Sequence, residues 1–278
     1  MRWEFNVKIL VICITFVLFY STSTFASESR ESQEFVLDAV FFDASCIENT
    51  TCIGEEMDYL VEYFGADWCD PCESVEENTI SNYDGLIVQH HPSPADLSFL
   101  SDSKLRFEES YRLQGLPSFV VNGKGLLSGE TQANTLEDSI QNILPGNLNG
   151  FEFASIANGS LFWNSSDGTT VKIWYLGNVG HEFRNYTHQN MLLAQDSQNS
   201  SQGVHLLRNS SEINSLTGIV VVLESSVEPQ LFSIYQEEEQ REYREPLSST
   251  TVVLITLGLI LVLVPPIRTQ IQYLRGKI

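Results

Sequence analysis

From Tyr59 through Ala66 an apolar run leads into Trp68-Cys69-Asp70-Pro71-Cys72, a pair of cysteines separated by two residues. The run reads as a strand, and Pro71 suits the first turn of a helix whose positive end would welcome Asp70, Glu73 and Glu76. The chain must therefore turn from strand into helix at Cys69. There, unpaired backbone N–H groups and the helix dipole favour an anion, so a thiolate forms more readily than on a free cysteine. The pattern is that of redox chemistry. A zinc half-site would need a second pair at ribbon spacing, which the sequence lacks, and no metal is expected.

The two ends of the 278-residue chain say where such a pair would work. Residues 1–26 read as a signal peptide: Arg2 and Lys8, an apolar stretch from Ile9 to Tyr20, then Thr24-Phe25-Ala26 as a small-x-small cleavage site. Cys13 lies in this segment and drops out of the redox arithmetic. Residues 27–34 form a polar leader. Residues 247–267 are apolar and uncharged, and as a helix they span about 30 Å, the thickness of a hydrocarbon core. Arg268, Arg275 and Lys277 follow without an acidic residue, which places the tail, residues 268–278, in the cytoplasm and the rest outside it. The expectation is a single-pass membrane protein, with an acidic stalk over residues 236–246. Six Asn-x-Ser/Thr sites, at Asn49, Asn158, Asn164, Asn185, Asn199 and Asn209, are candidate glycosylation positions. With 36 acidic against 15 basic side chains, a net charge of −21, the surface repels a phosphate backbone, so nucleic-acid partners are excluded.

Between the ends the pattern changes once. Over residues 35–146 it reads strand, strand, helix, strand, helix, strand, strand, helix, an α/β order. Within it, Gly115-Leu116-Pro117-Ser118 precedes a strand and the hairpin signal Asn122-Gly123. Over residues 147–235 short β-like runs alternate with Gly, Asn and Ser turns, a β-rich domain. His181, His188 and His205 are scattered through it and read as solvated loop histidines. His90 and His91 read as the end of a strand and the start of a turn.

Trp68-Cys69-Asp70-Pro71-Cys72 followed by Gly115-Leu116-Pro117-Ser118 resembles the thioredoxin superfamily, most closely at those two motifs. The segment from Glu62 to Cys69, with His91-Pro92 after the next strand, is similar to secreted thioredoxin-like proteins that carry an additional β domain. The resemblance implies an α/β thioredoxin-like fold, followed by a small mostly-β domain and one C-terminal transmembrane helix. It also implies thiol–disulfide exchange without a cofactor, and the acidic residues around the cysteines, Asp67, Asp70 and Glu73, make a reductase or isomerase the expected kind. The partners would be protein thiols and disulfides outside the cytoplasm and an unidentified redox partner. Cys69 would be the nucleophile and Cys72 the resolving thiol, with Trp68, Leu116 and a cis Pro117 receiving substrate. Glu62 is the candidate proton relay, although it stands one residue further from Cys69 than the family's buried acid. Either Gly65 absorbs that residue in a turn or Glu62 faces elsewhere. Cys46 and Cys52 are expected to form a structural disulfide, with a second redox pair as the alternative. No Lys or Arg occurs from Glu31 through Ser103, so anions around the thiols should moderate their reactivity. The competing function is a non-catalytic, membrane-anchored binding module in which Cys69–Cys72 is a structural disulfide.

Overall fold

The computed structural model describes residues 34–141, 148–165, 168–208, 213, 215–236 and 275. The described residues up to Ile234 form one compact unit. Of the residues beyond it, Tyr235, Gln236 and Arg275 are described.

Strand β1 (Val36–Asp43) leads through a 3-10 turn at Ala44–Ile47 to the short strands β2 (Cys52–Ile53) and β3 (Glu55–Glu56). β4 (Val61–Phe64) delivers helix α1 (Asp70–Asn78), and β5 (Ile87–His90) follows. Helix α2 (Ser101–Leu105) widens into a π turn at Arg106–Ser110. β6 (Ser118–Val121) and β7 (Gly125–Ser128) form a hairpin, and two short helices, α3 (Glu130–Ala133) and α4 (Leu136–Ile140), come next. The hairpin turn needs two left-handed residues, and Asn122 (φ 51°) and Gly123 (φ 64°) supply them. The remainder is strand: β8 (Phe151–Ala157), β9 (Ser160–Ser165), β10 (Thr170–Gly180), β11 (Thr187–Asn199), β12 (Val204–Leu206), β13 (Leu216–Glu224) and β14 (Phe232–Ser233).

Ten of the described strands make one mixed sheet in the order β14-β7-β6-β4-β5-β11-β10-β13-β1-β3, and four make a second, β12-β9-β8-β2. This corrects the expectation of an α/β thioredoxin-like fold: the described chain is mostly β. The cause is edge pairing. A strand with an open edge leaves a row of N–H and C=O groups unpaired. β5 resolves this by accepting β11 in parallel, with Met191 opposite Gln89 and the Gln89 amide donating to the Gln189 carbonyl at 2.7 Å. β1 runs antiparallel to β13 along its length, from Val36 opposite Glu224 to Asp43 opposite Gly218. The sheet thus draws on strands from both ends of the unit. The helices are too short to cover its faces, the longest described one, α1, having nine residues and spanning about 13 Å.

Side-chain alternation then fixes which face each residue serves. On β10 and β13, Val171, Ile173, Tyr175, Ile219, Val221 and Leu223 meet Ile156, Leu161 and Trp163 of the second sheet. The residues between them, Trp174, Leu176, Val220 and Val222, pack on the other face with Leu60, Val88 and Leu192. Both faces of these strands are buried, which is why β13 reads as a nearly unbroken apolar run. Asp38 stays in this interior by accepting hydrogen bonds from the backbone N–H groups of Ala39, Gly150 and Phe151 at 2.8 Å each.

Among the described residues no helix is long and apolar enough to cross a membrane. The stretch expected to do so, residues 247–267, lies outside them, as do the signal peptide, residues 1–26, and the sequon at Asn209. The other five sequon asparagines are exposed.

Candidate functional site

Cys69 is the N-cap of α1 in extended conformation, with Pro71 in the first helical turn, and it is joined to Cys72 by a disulfide. Cys72 lies one turn deeper and is 1% exposed against 7% for Cys69, so the outer sulfur is the one an incoming group meets. Ala66 and Leu116 pack on the pair, and the Leu116–Pro117 peptide is cis. Beside Cys69 opens a groove of about 580 Å³, walled by Trp68, Pro71, Pro92, Phe107 and Leu116. Trp68 is half-exposed there, and its indole N–H donates to Ser93 Oγ at 2.9 Å. The groove therefore combines an apolar wall with a disulfide at its floor.

The acidic setting read from the sequence is partly offset by cations from elsewhere in the chain. Lys104 lines the same groove, and Arg184 pairs with Glu73 at 2.7 Å. Neither was visible as a neighbour from spacing, because both approach from other elements.

Glu62 is fully buried but belongs to another network. Its oxygens accept from both Nε and Nη2 of Arg106 and from the Tyr111 hydroxyl, and His90 Nε2 lies 3.4 Å away. Burial alone would raise its pKa; the Arg106 charge, then the His90 and Arg106 hydrogen bonds, overcome that and hold it at about 2. Tyr63, on the opposite face of β4, points instead to α1, where its hydroxyl donates to Glu76 at 3.1 Å. The acid that α1 itself carries inward, four residues after Cys72, is therefore Glu76.

Behind the motif the structure assembles a group of side chains that sequence reading had separated. His181 and His188, expected to be solvated, are buried, and so are His91, Asp67, Asp96 and Glu76. Asp67 Oδ1 is met by His188 Nε2 at 2.8 Å, with His181 Nε2 and His91 Nδ1 each 3.8 Å away. Its other oxygen accepts from the Glu182 N–H at 2.9 Å, and Asp96 accepts from the Asp67 N–H at 3.0 Å. Three sets of residues bring ligating atoms within 4.8 Å of one another: Asp67, His181 and His188; Glu76, His91 and His188; and Asp67, His91 and Asp96. The loop between β10 and β11 supplies His181, and β11 supplies His188. The sequence carried no signal for this grouping, because its members come from segments about a hundred residues apart.

These environments shift the titrations. Burial works against ionisation of Asp67, but the Glu182 N–H and His188 keep its pKa below the usual range. Burial raises Glu76 to about 7, against hydrogen bonds from Tyr186 and Tyr63 and helped by the charges of Asp67 and Glu73. Burial likewise raises Asp96 to about 6. Burial, then the charge of His188, pushes His91 down to about 3; burial also lowers His90 and His188.

A pH dependence of stability follows from those directions. Between pH about 7 and about 4.5, the folded chain binds a proton at Glu76 more readily than the unfolded chain does, which adds stability as pH falls. Over about pH 6.5 to 3 the unfolded chain protonates the residue of His91 while the folded chain does not, which removes stability. His90 and His188 act in the same sense as His91. The opposing contributions overlap until the unfolded chain also protonates the raised carboxyls, near pH 4.5 for Glu76 and near pH 3.8 for Asp96. Below about pH 3.8 the histidines, joined by the depressed Glu62 and Asp67, act without opposition. Thermal midpoints measured in the presence of a chelator should therefore change little from pH 7 to about 4 and fall steeply below. A midpoint that keeps rising on acidification to pH 3 would contradict these burial assignments.

Cys46 and Cys52 are joined in a second disulfide. Cys46 sits in the core between the two sheets with Cys52 packed against it, whereas Cys69 and Cys72 pack with Ala66 and Leu116.

No family model and no curated protein matches the chain. A crystal structure of a protein from Agrobacterium tumefaciens is similar to it at 14% identity, over 62% of this chain and 80% of that one, with a TM-score of 0.36. A likeness at that level carries no argument about fold or function.

Proposed function

We propose that the chain exchanges thiols and disulfides with protein substrates through Cys69 and Cys72, outside the cytoplasm. The observation that carries the reading is the position of the disulfide: Cys69 at a helix N-terminus, at the floor of an open groove, with Cys72 sheltered behind it. The local resemblance of Trp68–Cys72 and Gly115–Ser118 to thioredoxin-superfamily motifs supports the chemistry of the site. The signal-like residues 1–26 and the exposed sequons support the compartment.

In the reducing direction, the Cys69 thiolate attacks one sulfur of a substrate disulfide. A bond forms between Cys69 and that sulfur, and the other substrate sulfur leaves as a thiolate. Cys72 then loses its proton and attacks the Cys69 sulfur, releasing the second substrate thiolate. The substrate gains two electrons and the cysteine pair loses them. Run backwards, the same steps oxidise a substrate dithiol. The apolar wall of Trp68, Phe107 and Leu116 would hold an extended segment across the disulfide.

Insulin reduction tests the proposal. With excess dithiothreitol, the full chain should speed insulin precipitation well above the rate of dithiothreitol alone. A rate equal to that of the reductant would favour the binding-module alternative, in which Cys69–Cys72 is a structural bridge.

A further inference from the structure

We propose that Glu76, His91 and His188 bind a divalent cation of the zinc type, at a site to which the cysteines contribute no ligand. The three side chains are buried and bring one ligating atom each to within 4.8 Å of the others. Hydrogen-bond accounting selects this set from the three that the geometry allows. In the two sets that contain Asp67, the ring nitrogens that face its carboxylate carry the protons and offer a cation no lone pair. His181 Nδ1 accepts from the Phe183 N–H at 3.0 Å, so the ring proton sits on the nitrogen that faces Asp67, and no lone pair is offered there.

The rings of His188 and His91 are arranged the other way. An ionised carboxylate only accepts, so the proton between Asp67 and His188 belongs to His188 Nε2. That leaves the lone pair on Nδ1, which lies 3.8 Å from Glu76 Oε2. His91 Nδ1 meets Ser98 Oγ at 2.6 Å and has carboxylate oxygens of Asp67 and Asp96 within 4 Å, which draws its proton to that side. The lone pair is then on Nε2, which is buried and has no hydrogen-bond partner among the described residues. A carboxylate or hydroxyl holding the far nitrogen of each imidazole is the support that metal-binding histidines require. Glu76 is fixed in the same way, by the hydroxyls of Tyr63 at 3.1 Å and Tyr186 at 2.5 Å.

Two imidazoles and a carboxylate suit a borderline cation rather than calcium or magnesium. A tetrahedral zinc with bonds of about 2.0 Å spaces its ligands about 3.3 Å apart, so the His188–Glu76 pair must close from 3.8 Å by about half an ångström and His91, within 4.8 Å of both, by up to about 1.5 Å. Three protein ligands leave a position open, as in zinc sites that hold an exchangeable fourth ligand. A cavity of about 440 Å³ reaches Glu76 and His188 from the surface, with the exposed Glu77 on its wall to attract cations.

The test is a titration of the untagged full chain, stripped with a chelator, with Zn²⁺ and with Co²⁺ as an optical probe. About one cation should bind per chain, with ligand-field bands for Co²⁺ and shifted imidazole ¹⁵N resonances for His91 and His188. E76Q, close to isosteric, should weaken binding at least about tenfold. H205Q, altered at a histidine that faces Asp196 instead, should leave it unchanged. Absence of stoichiometric binding, unmoved His91 and His188 resonances, or E76Q binding as tightly as the unaltered chain would each overturn the proposal. The resonance measurement needs no variant, so it decides even if E76Q fails to fold.

Discussion

Replacing Arg106 with methionine should cost about 3–5 kcal/mol of unfolding free energy, the largest loss expected from any single substitution at a charged residue of this chain. Arg106 is buried and ion-paired to Glu62, and it also donates to Glu224 at 2.6 Å. Its guanidinium lies 4.6 Å from the Trp174 ring centre and 4.8 Å from that of Tyr111. One cation therefore neutralises two buried carboxylates and ties the turn after α2 to β4 and to β13. Methionine keeps much of the volume but leaves both carboxylates uncompensated in the interior, which is the costly case for a buried ion pair. The triple variant R106M/E62Q/E224Q removes the charges together and should recover part of the loss. Denaturant unfolding of the three proteins measures this. A loss below about 1 kcal/mol for R106M would mean that the network is more hydrated than its burial implies.

The second large effect is chemical. C69S should abolish catalysed insulin reduction, lowering the rate at least about 10³-fold to that of the reductant alone, with little change in fold. C72S should also stop turnover, for a different reason: Cys69 can still attack, but the mixed disulfide has no internal thiol to resolve it. The two variants thus separate the roles that burial assigns. Equal trapping by C69S and C72S would contradict the assignment of Cys69 as the outer sulfur.

The local elements were legible where a pattern was strong. The strand into Cys69, the helix opened by Pro71, the Asn122-Gly123 hairpin and the apolar run of β13 all stand where propensity and period place them. The architecture was not legible, and β11 shows why. Thr187–Asn199 is the longest described strand, yet its Gln, Asn, Asp and Ala residues have little β preference. Pairing with β10 on one side and β5 on the other makes it a strand, and its insertion beside β5 turns an expected α/β unit into one wide sheet. The candidate site divides in the same way. Trp68, Cys69 and Cys72 come together because they are neighbours in sequence, and Leu116 joins them because β6 pairs with β4 and sets the turn before Ser118 beside the motif. Glu62 does not join them, since alternation along β4 turns it toward Arg106, a partner 44 residues away. His181 and His188 reach Asp67 across more than a hundred residues, a contact that exists only once β10 and β11 have joined the sheet.

The central claim is that Cys69 attacks other proteins' disulfides, and trapping tests it most directly. The full-length C72S variant, expressed in a host with an oxidising compartment, should accumulate covalent partners joined through Cys69 and released by dithiothreitol. A C69S/C72S variant should accumulate none. If C72S carries no more adducts than the double variant under both oxidising and reducing conditions, the cysteine pair is a structural bridge and the exchange reading is wrong.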